Sequence, residues 1–484
     1  MNPPSPLPSG APNWRSGVVA LLLIAGLSTA FVTLSRRQSD KARTAPVAPT
    51  QPAEITGPQI LAGLPSATAA SFYGKVLATA VEQVQRLPQS AEGWISLGDV
   101  LAQGQRDTAD TAYYEHAEKA YQYALKLNPK SGDAMSGLAW VHGGRHQFDL
   151  SILWAEKALA LAPDHIAATG ILGDAAVEKG DYDKAFDYYQ KMMDLRPDLS
   201  SLSRGAHLLW LTGQQNRATM LMEQAIRSGA PFAENTAWCR ARLAMMYFHD
   251  GMLPSAIGAL KPVLNPTTVN PHVLLAAGRI AAAGGDYPTA IAYYQKANIS
   301  NPSLEALAAL GDIQAVQGNG AAAEEFYIKV EALHNQHRET GIHDHMEMAR
   351  FYADHDRNVG EALRLAIGHG ETGNPFEADT FAWLYYKNGD QPKAIGWIKK
   401  ALKTGLPDAS IHYHAACIAT AAGDRVSAGK HLQQAVSKNP HFNLLLAKDA
   451  FQRLNDIGKV IPTSPEAPVT APPAPAAPPL TQLR

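Results

Sequence analysis

Between residues 91 and 440 the chain alternates two kinds of amphipathic run, each with apolar or small residues spaced three and four apart. The segment ATGILGDAAVEKGDYDKAFDYYQKMMDLRPD (168–198) is the clearest unit. Leu172, Gly173 and Ala176 share one face of a first predicted helix, Gly180 suits a left-handed stop, and Asp181 suits the cap of a second helix. Ala185, Tyr189 and Met192 form the inward stripe of that second helix, which Pro197 ends. Pro129, Pro163, Pro197 and Pro231 are each 34 residues apart, so the unit repeats. Small residues belong at Gly173 and Ala185 because two helices cross there, and the same residue type returns at Ala117, Ala218, Ala256, Ala290, Ala323, Ala362, Ala394 and Ala428. The spacing predicts about ten helix pairs.

Trp94, Leu97, Gly98, Ala117, Tyr121, Ala124 and Pro129 stand at signature positions of the tetratricopeptide repeat family, with about seven extra residues in the first turn, and the chain resembles that family over roughly 350 residues. The resemblance implies an all-α, right-handed superhelical solenoid of about ten antiparallel helix pairs, each pair burying its apolar face only against its neighbours. Residues 91–440 form the solenoid, 66–90 an N-terminal capping helix and 441–457 a C-terminal one.

In that family the first helix of each pair lines a concave groove. Carried over, the groove positions are Trp140, Trp210, Trp238, Phe248, Phe351, Phe376, Trp383, Tyr386 and Tyr413, with His207, His272, Arg279, Asp174, Asp312 and Asp379 among them and Arg242 adjacent. Such a set suits a partner protein or an extended peptide, because aromatic rings supply contact area with little rotamer entropy to lose. Packing between neighbouring pairs is the competing role for each ring. The Lys and Asn clamp by which some family members hold a C-terminal carboxylate is absent.

The ends are of different composition. After residues 1–15, residues 16–35 (SGVVALLLIAGLSTAFVTLS) carry no charge and are long enough to cross a bilayer as a helix. They imply a single-pass anchor in a bacterial-type cell membrane, with a cleaved signal segment as the alternative. The repeats are then expected on the extracytoplasmic side, although Arg36, Arg37, Lys41 and Arg43 argue for the cytoplasmic face. Residues 36–65 read as a proline-rich linker and 458–484 as a disordered Pro/Ala-rich tail, with eight prolines between 461 and 480.

Net charge is −2, which leaves no basic field for nucleic acid. Two cysteines, Cys239 and Cys417, sit in different repeats and are expected as small core residues rather than ligands or a disulfide. No nucleophile, phosphate-loop, dinucleotide or zinc-protease motif occurs, so no catalytic residue and no cofactor is assigned. The functional reading is therefore a non-catalytic, membrane-tethered scaffold that binds a partner protein or peptide in its concave groove during envelope or secreted-complex assembly.

One segment resists that reading. HNQHRETGIHDHMEMARFYADHD (334–356) holds five of the seventeen histidines. His334, His337, His343 and His345, with Glu347, are the candidate ligands of a metal- or small-ligand-binding sensor, the alternative function. The simpler account is a junction: an overlong second helix stopped by Gly341, then a capping box from Asp344 and Glu347. Further on, His412 is expected in the core, with Tyr413 and His414 toward the groove.

Overall fold

The computed structural model describes residues 56–64, 72–108, 110–230, 234–300, 302–339, 344–370, 373–460 and 482–483. Among them are 23 helices and no strand. Helices α1 (Gly57–Ala62) and α2 (Phe72–Arg86) precede ten hairpins. Pairs 1 to 5 are α3 (Ala91–Thr108) with α4 (Ala112–Leu127), α5 (Gly132–Gly144) with α6 (Phe148–Leu161), α7 (Ile166–Glu178) with α8 (Tyr182–Leu195), α9 (Leu199–Leu211) with α10 (Gln215–Ser228), and α11 (Glu234–His249) with α12 (Leu253–Leu260). Pairs 6 to 10 are α13 (Pro271–Ala283) with α14 (Tyr287–Ser300), α15 (Leu304–Val316) with α16 (Gly320–Glu339), α17 (His345–Asp354) with α18 (Val359–His369), α19 (Pro375–Lys387) with α20 (Gln391–Leu402), and α21 (Ala409–Ala421) with α22 (Arg425–Lys438). Helix α23 (Ala447–Val460) packs on α22. The chain is thus an all-α helical-repeat solenoid.

Local chemistry explains the hairpins. Side chains of Ser131, Asp181, Asp198, Asn270, Asp390 and Asp424 accept the backbone N–H bonds that helix starts leave open. Alanines 185, 218, 256, 290, 394 and 428 are fully buried at the crossings, where a larger side chain would part the helices.

A second lock is repeated. The tripeptide Leu-Gly-Asp stands at 97–99, 172–174 and 310–312. A side chain on Gly98, Gly173 or Gly311 would strike the ring of Tyr121, Tyr189 or Tyr327 on the partner helix. Each tyrosine hydroxyl donates to the aspartate beside that glycine, at 2.8, 2.7 and 3.0 Å. Asp174 also takes Arg204 of the next pair in a forked contact, and Asp312 takes His355. One tripeptide therefore closes its own hairpin and, in two cases, ties it to the following one.

Across nearly two hundred residues the repeats meet again. The turns of pairs 3, 4 and 5 rest on the connections that enter pairs 9 and 10 and that leave pair 10. Gly180 lies against Gly373, a methyl on Gly213 would stand 2.7 Å from Gly405 O, and one on Gly251 would stand 2.5 Å from Lys438 O. Polar contacts bridge the same seam. Asn439 Nδ2 donates to Phe248 O at 2.8 Å, His249 Nδ1 meets Asp408 at 2.8 Å, and Lys438 pairs with Asp250 at 2.6 Å. One apolar cluster spans it, joining Leu208, Leu211 and Met246 to Ala378, Leu406 and Ile411.

The single-pass membrane location is corrected. Among the described residues no helix is long and apolar enough to cross a membrane. Residues 16–35, on which that expectation falls, lie outside the described residues, as do most of the linker and tail.

Candidate partner-binding cavity

The first helices of pairs 5 to 10, α11, α13, α15, α17, α19 and α21, converge on a cavity of about 550 Å³. Connecting segments and α14 contribute a few further groups. A second cavity of about 420 Å³, walled by α9, α11 and α13, adjoins it and shares His249, Arg279, Glu305 and Phe376.

Most charges on this wall are paired. Arg279 donates to Glu305 at 2.7 Å, and Arg350 lies between Asp354 and Asp379 at 2.9 and 2.7 Å. His355 Nε2 contacts Asp312 at 2.7 Å. Burial alone would raise the Asp408 carboxyl, but the hydrogen bond and charge of His249 bring it down to about 2.

Two groups differ. Glu347 is exposed to the cavity, whose walls crowd around it; this crowding, then the nearby Glu305 and Asp344, push its carboxyl up to about 7. Arg242 on the second cavity's wall forms no close ion pair among the described residues; the carboxylates of Glu178 and Glu305 act on it only from a distance. It donates instead to His207, at 2.9 Å to Nδ1, and sits 5.6 Å from the centre of the Trp238 ring. Burial and then the Arg242 charge hold His207 below its usual range, in keeping with a neutral ring that accepts from the guanidinium. His272 is lowered by the same two causes.

The sequence-derived groove residues divide. Phe248, Arg279, Asp312 and Phe351 line the larger cavity, and Trp210, Arg242 and Arg279 the smaller, together with Phe376, His207 and His272. Trp140 packs beside Tyr114 under Arg106, and Asp174 holds Tyr189 and Arg204. Trp383 is 2% exposed, stacked between Tyr386 and His414 at 5.0 and 4.1 Å. Tyr413 is buried and donates to Asp449. Asp379 is wholly buried; burial raises its carboxyl, but His414 and Arg350 outweigh that and hold it below the ordinary range.

His412 and His414 exchange their expected places. His414 is completely buried on Asp379 at 2.9 Å, while half-buried His412 meets His431 at 3.1 Å. The sequence reading passes over Glu305, Arg350 and His249 altogether. Their signal was available, since each occupies a first helix, but a charged residue at such a position looks like any solvated one.

The histidine-rich junction resolves as a carboxylate clamp. His334 and His337 of α16 each place Nδ1 2.6 Å from a different oxygen of Asp344. Burial raises this carboxyl, yet the two hydrogen bonds bring it to about 2. Asp344 precedes α17 but makes no side-chain cap bond, so the expected capping box is absent: its oxygens face the histidines instead. His345 lies edge-on to His334 at 6.2 Å. His343 and Gly341 fall outside the described residues. Among the described residues no group of three or more His, Cys, Asp or Glu is arranged to hold a metal ion.

Paired helices, a repeating small-residue crossing and an inner wall of first helices make a helical-repeat array that resembles the tetratricopeptide type. The tetratricopeptide repeat family model matches residues 114–166, 144–200 and 275–336, which supports that reading over those stretches. The chain is 29% identical over 117 residues to the formate-dependent nitrite reductase complex subunit NrfG of Escherichia coli O157:H7, covering 24% of this chain and 56% of that protein. It is 25% identical over 144 residues to the small glutamine-rich tetratricopeptide repeat-containing protein 2 of Saccharomyces cerevisiae, covering 26% and 41%. The chain thus spans only about half the length of the curated relatives it matches. Among solved structures, the human IFIT1 dimer aligns with 68% of this chain and 77% of its own at 16% identity and a TM-score of 0.43.

Proposed function

We propose that the chain is a non-catalytic scaffold that takes an extended segment of a partner protein into the cavity on the inner face of its repeats. The observation that carries this reading is the convergence of six successive first helices on an open cavity of about 550 Å³. That volume lies in the range of ligand pockets and accommodates a few residues of a peptide. Phe248, Phe351 and Phe376 offer apolar contact, and Arg242 offers a guanidinium fork matched to a carboxylate. The favoured segment therefore carries an acidic group beside an apolar one. Similarity to a protein named as a subunit of a nitrite reductase complex favours a partner that is itself part of a multi-protein assembly.

A photo-crosslinking residue placed at Ala308 on the cavity wall is expected to trap one discrete partner, and the same residue at exposed Lys399 on a second helix is not. Substituting Arg242→Gln should weaken capture at Ala308 roughly tenfold, the loss of a charge-assisted contact. Crosslinks that form from Lys399 but never from Ala308 would place binding on the other face and sink the reading.

A further inference from the structure

Residues 482 and 483 are themselves seated on the repeats. Leu483 is completely buried and belongs to the apolar cluster that holds Met193 and Leu221. Three helices build the notch around it. Helix α9 supplies Gly205, where a methyl would stand 2.9 Å from Leu483 Cδ2, so the missing side chain is the space the leucine fills. Helix α8 supplies Gln190, whose Oε1 accepts the Leu483 N–H at 2.8 Å, and α10 supplies Arg217, which donates to the Gln482 carbonyl. None of these residues lines either inner cavity.

We propose that this notch is a second peptide-binding site, selective for a leucine-anchored extended segment, and that its resident ligand is the chain's own Gln482 and Leu483. The chemistry divides recognition into two parts. Gly205 sets a depth that admits one branched apolar side chain, while Gln190 and Arg217 read the backbone N–H and C=O that any extended peptide presents. A single side chain and two hydrogen bonds make the contact exchangeable. Covalent attachment through residues 461–481 makes the internal ligand a strong competitor by effective concentration. The notch is thus closed to outside segments until the tail leaves or is removed.

The test uses a fluorescent peptide of residues 476–484, AAPPLTQLR, and fluorescence anisotropy. The full chain is compared with one ending at residue 480, whose fold is checked by circular dichroism. Saturable binding to the shortened chain is expected, with binding to the full chain at least about tenfold weaker. A peptide carrying Leu483→Asp should not bind, and Arg217→Ala in the shortened chain should weaken binding about fivefold. No binding to the shortened chain, equal binding to both chains, or undiminished binding of the Leu483→Asp peptide would each overturn the proposal. So would a concentration-dependent dimer of the full chain that disappears on shortening, because the notch would then hold the tail of a second copy.

Discussion

Gly213 and Gly285 look alike in sequence, each ending a first helix with the backbone in the left-handed region, at φ +82° and +80°. Their surroundings differ. A methyl on Gly285 meets nothing, whereas one on Gly213 would press on Gly405 O across the seam. Gly285→Ala is expected to cost only the left-handed strain, about 1–2 kcal/mol. Gly213→Ala should cost more in urea unfolding and also speed amide exchange at residues 403–408, since the seam must part. Equal costs and unchanged exchange would show that the two turns are not in contact. Local sequence demands glycine at both positions and is silent about the neighbour that distinguishes them.

The same limit applies to the rings. Trp210 and Trp383 occupy equivalent faces of first helices and are both buried, at 6% and 2% exposure, yet Trp210 still lines the smaller cavity while Trp383 is stacked against Tyr386 and His414. Asp344 teaches the reverse lesson. Its position before a helix is right for a cap, but two histidines compete for its oxygens and win.

Within a hairpin, the Leu-Gly-Asp tripeptide couples packing to polarity. Replacing Gly173 by Ala would ordinarily favour a helix by about 0.5–1 kcal/mol. Here the added methyl meets the buried Tyr189 ring, and overpacking of about 1–3 kcal/mol reverses the sign. Gly173→Ala is therefore expected to destabilise, as read from the urea midpoint; a stabilised variant would contradict the lock. Tyr189→Phe keeps the ring and removes only the bond to Asp174, a loss of about 1.5–3 kcal/mol for a charged acceptor. The small-residue crossing is legible in the 34-residue period. The aspartate's second role, holding Arg204 of the next pair, is not, because that partner lies thirty residues on, at a position with no fixed pattern.

For the molecule as a whole, the seam brings ionisable groups together. Burial first, then Glu377 and Asp174, push the Glu178 carboxyl of α7 up to about 7, with His369 and Arg242 opposing the rise. In an unfolded chain this group titrates near 4.3. Its folded value is raised, so the associated stability is complete below about pH 4 and is lost as pH climbs through about 7. Glu178→Gln keeps the side chain neutral and should raise the melting midpoint at pH 8 by roughly 2–4 °C, with little effect near pH 4. An unchanged or lower midpoint at pH 8 would refute this. Asp408 acts in the opposite sense: its carboxylate, held at about 2, supports the seam above about pH 4 and ceases to do so as pH falls toward 2.

Sequence by itself determined the hairpin: the three-and-four spacing, the capping aspartates, the turn glycines and the 34-residue period are all satisfied by contacts within a pair or between adjacent pairs. Tertiary structure alone decided the seam, the cavity, the surroundings of Glu347 and Arg242, and the seat of Leu483. The reason is geometric. Each pair turns slightly against the last, and only the sum of those turns over five or six pairs brings Gly213 to Gly405. No local pattern encodes that sum, so contacts across nearly two hundred residues leave no mark in the period that built the repeats.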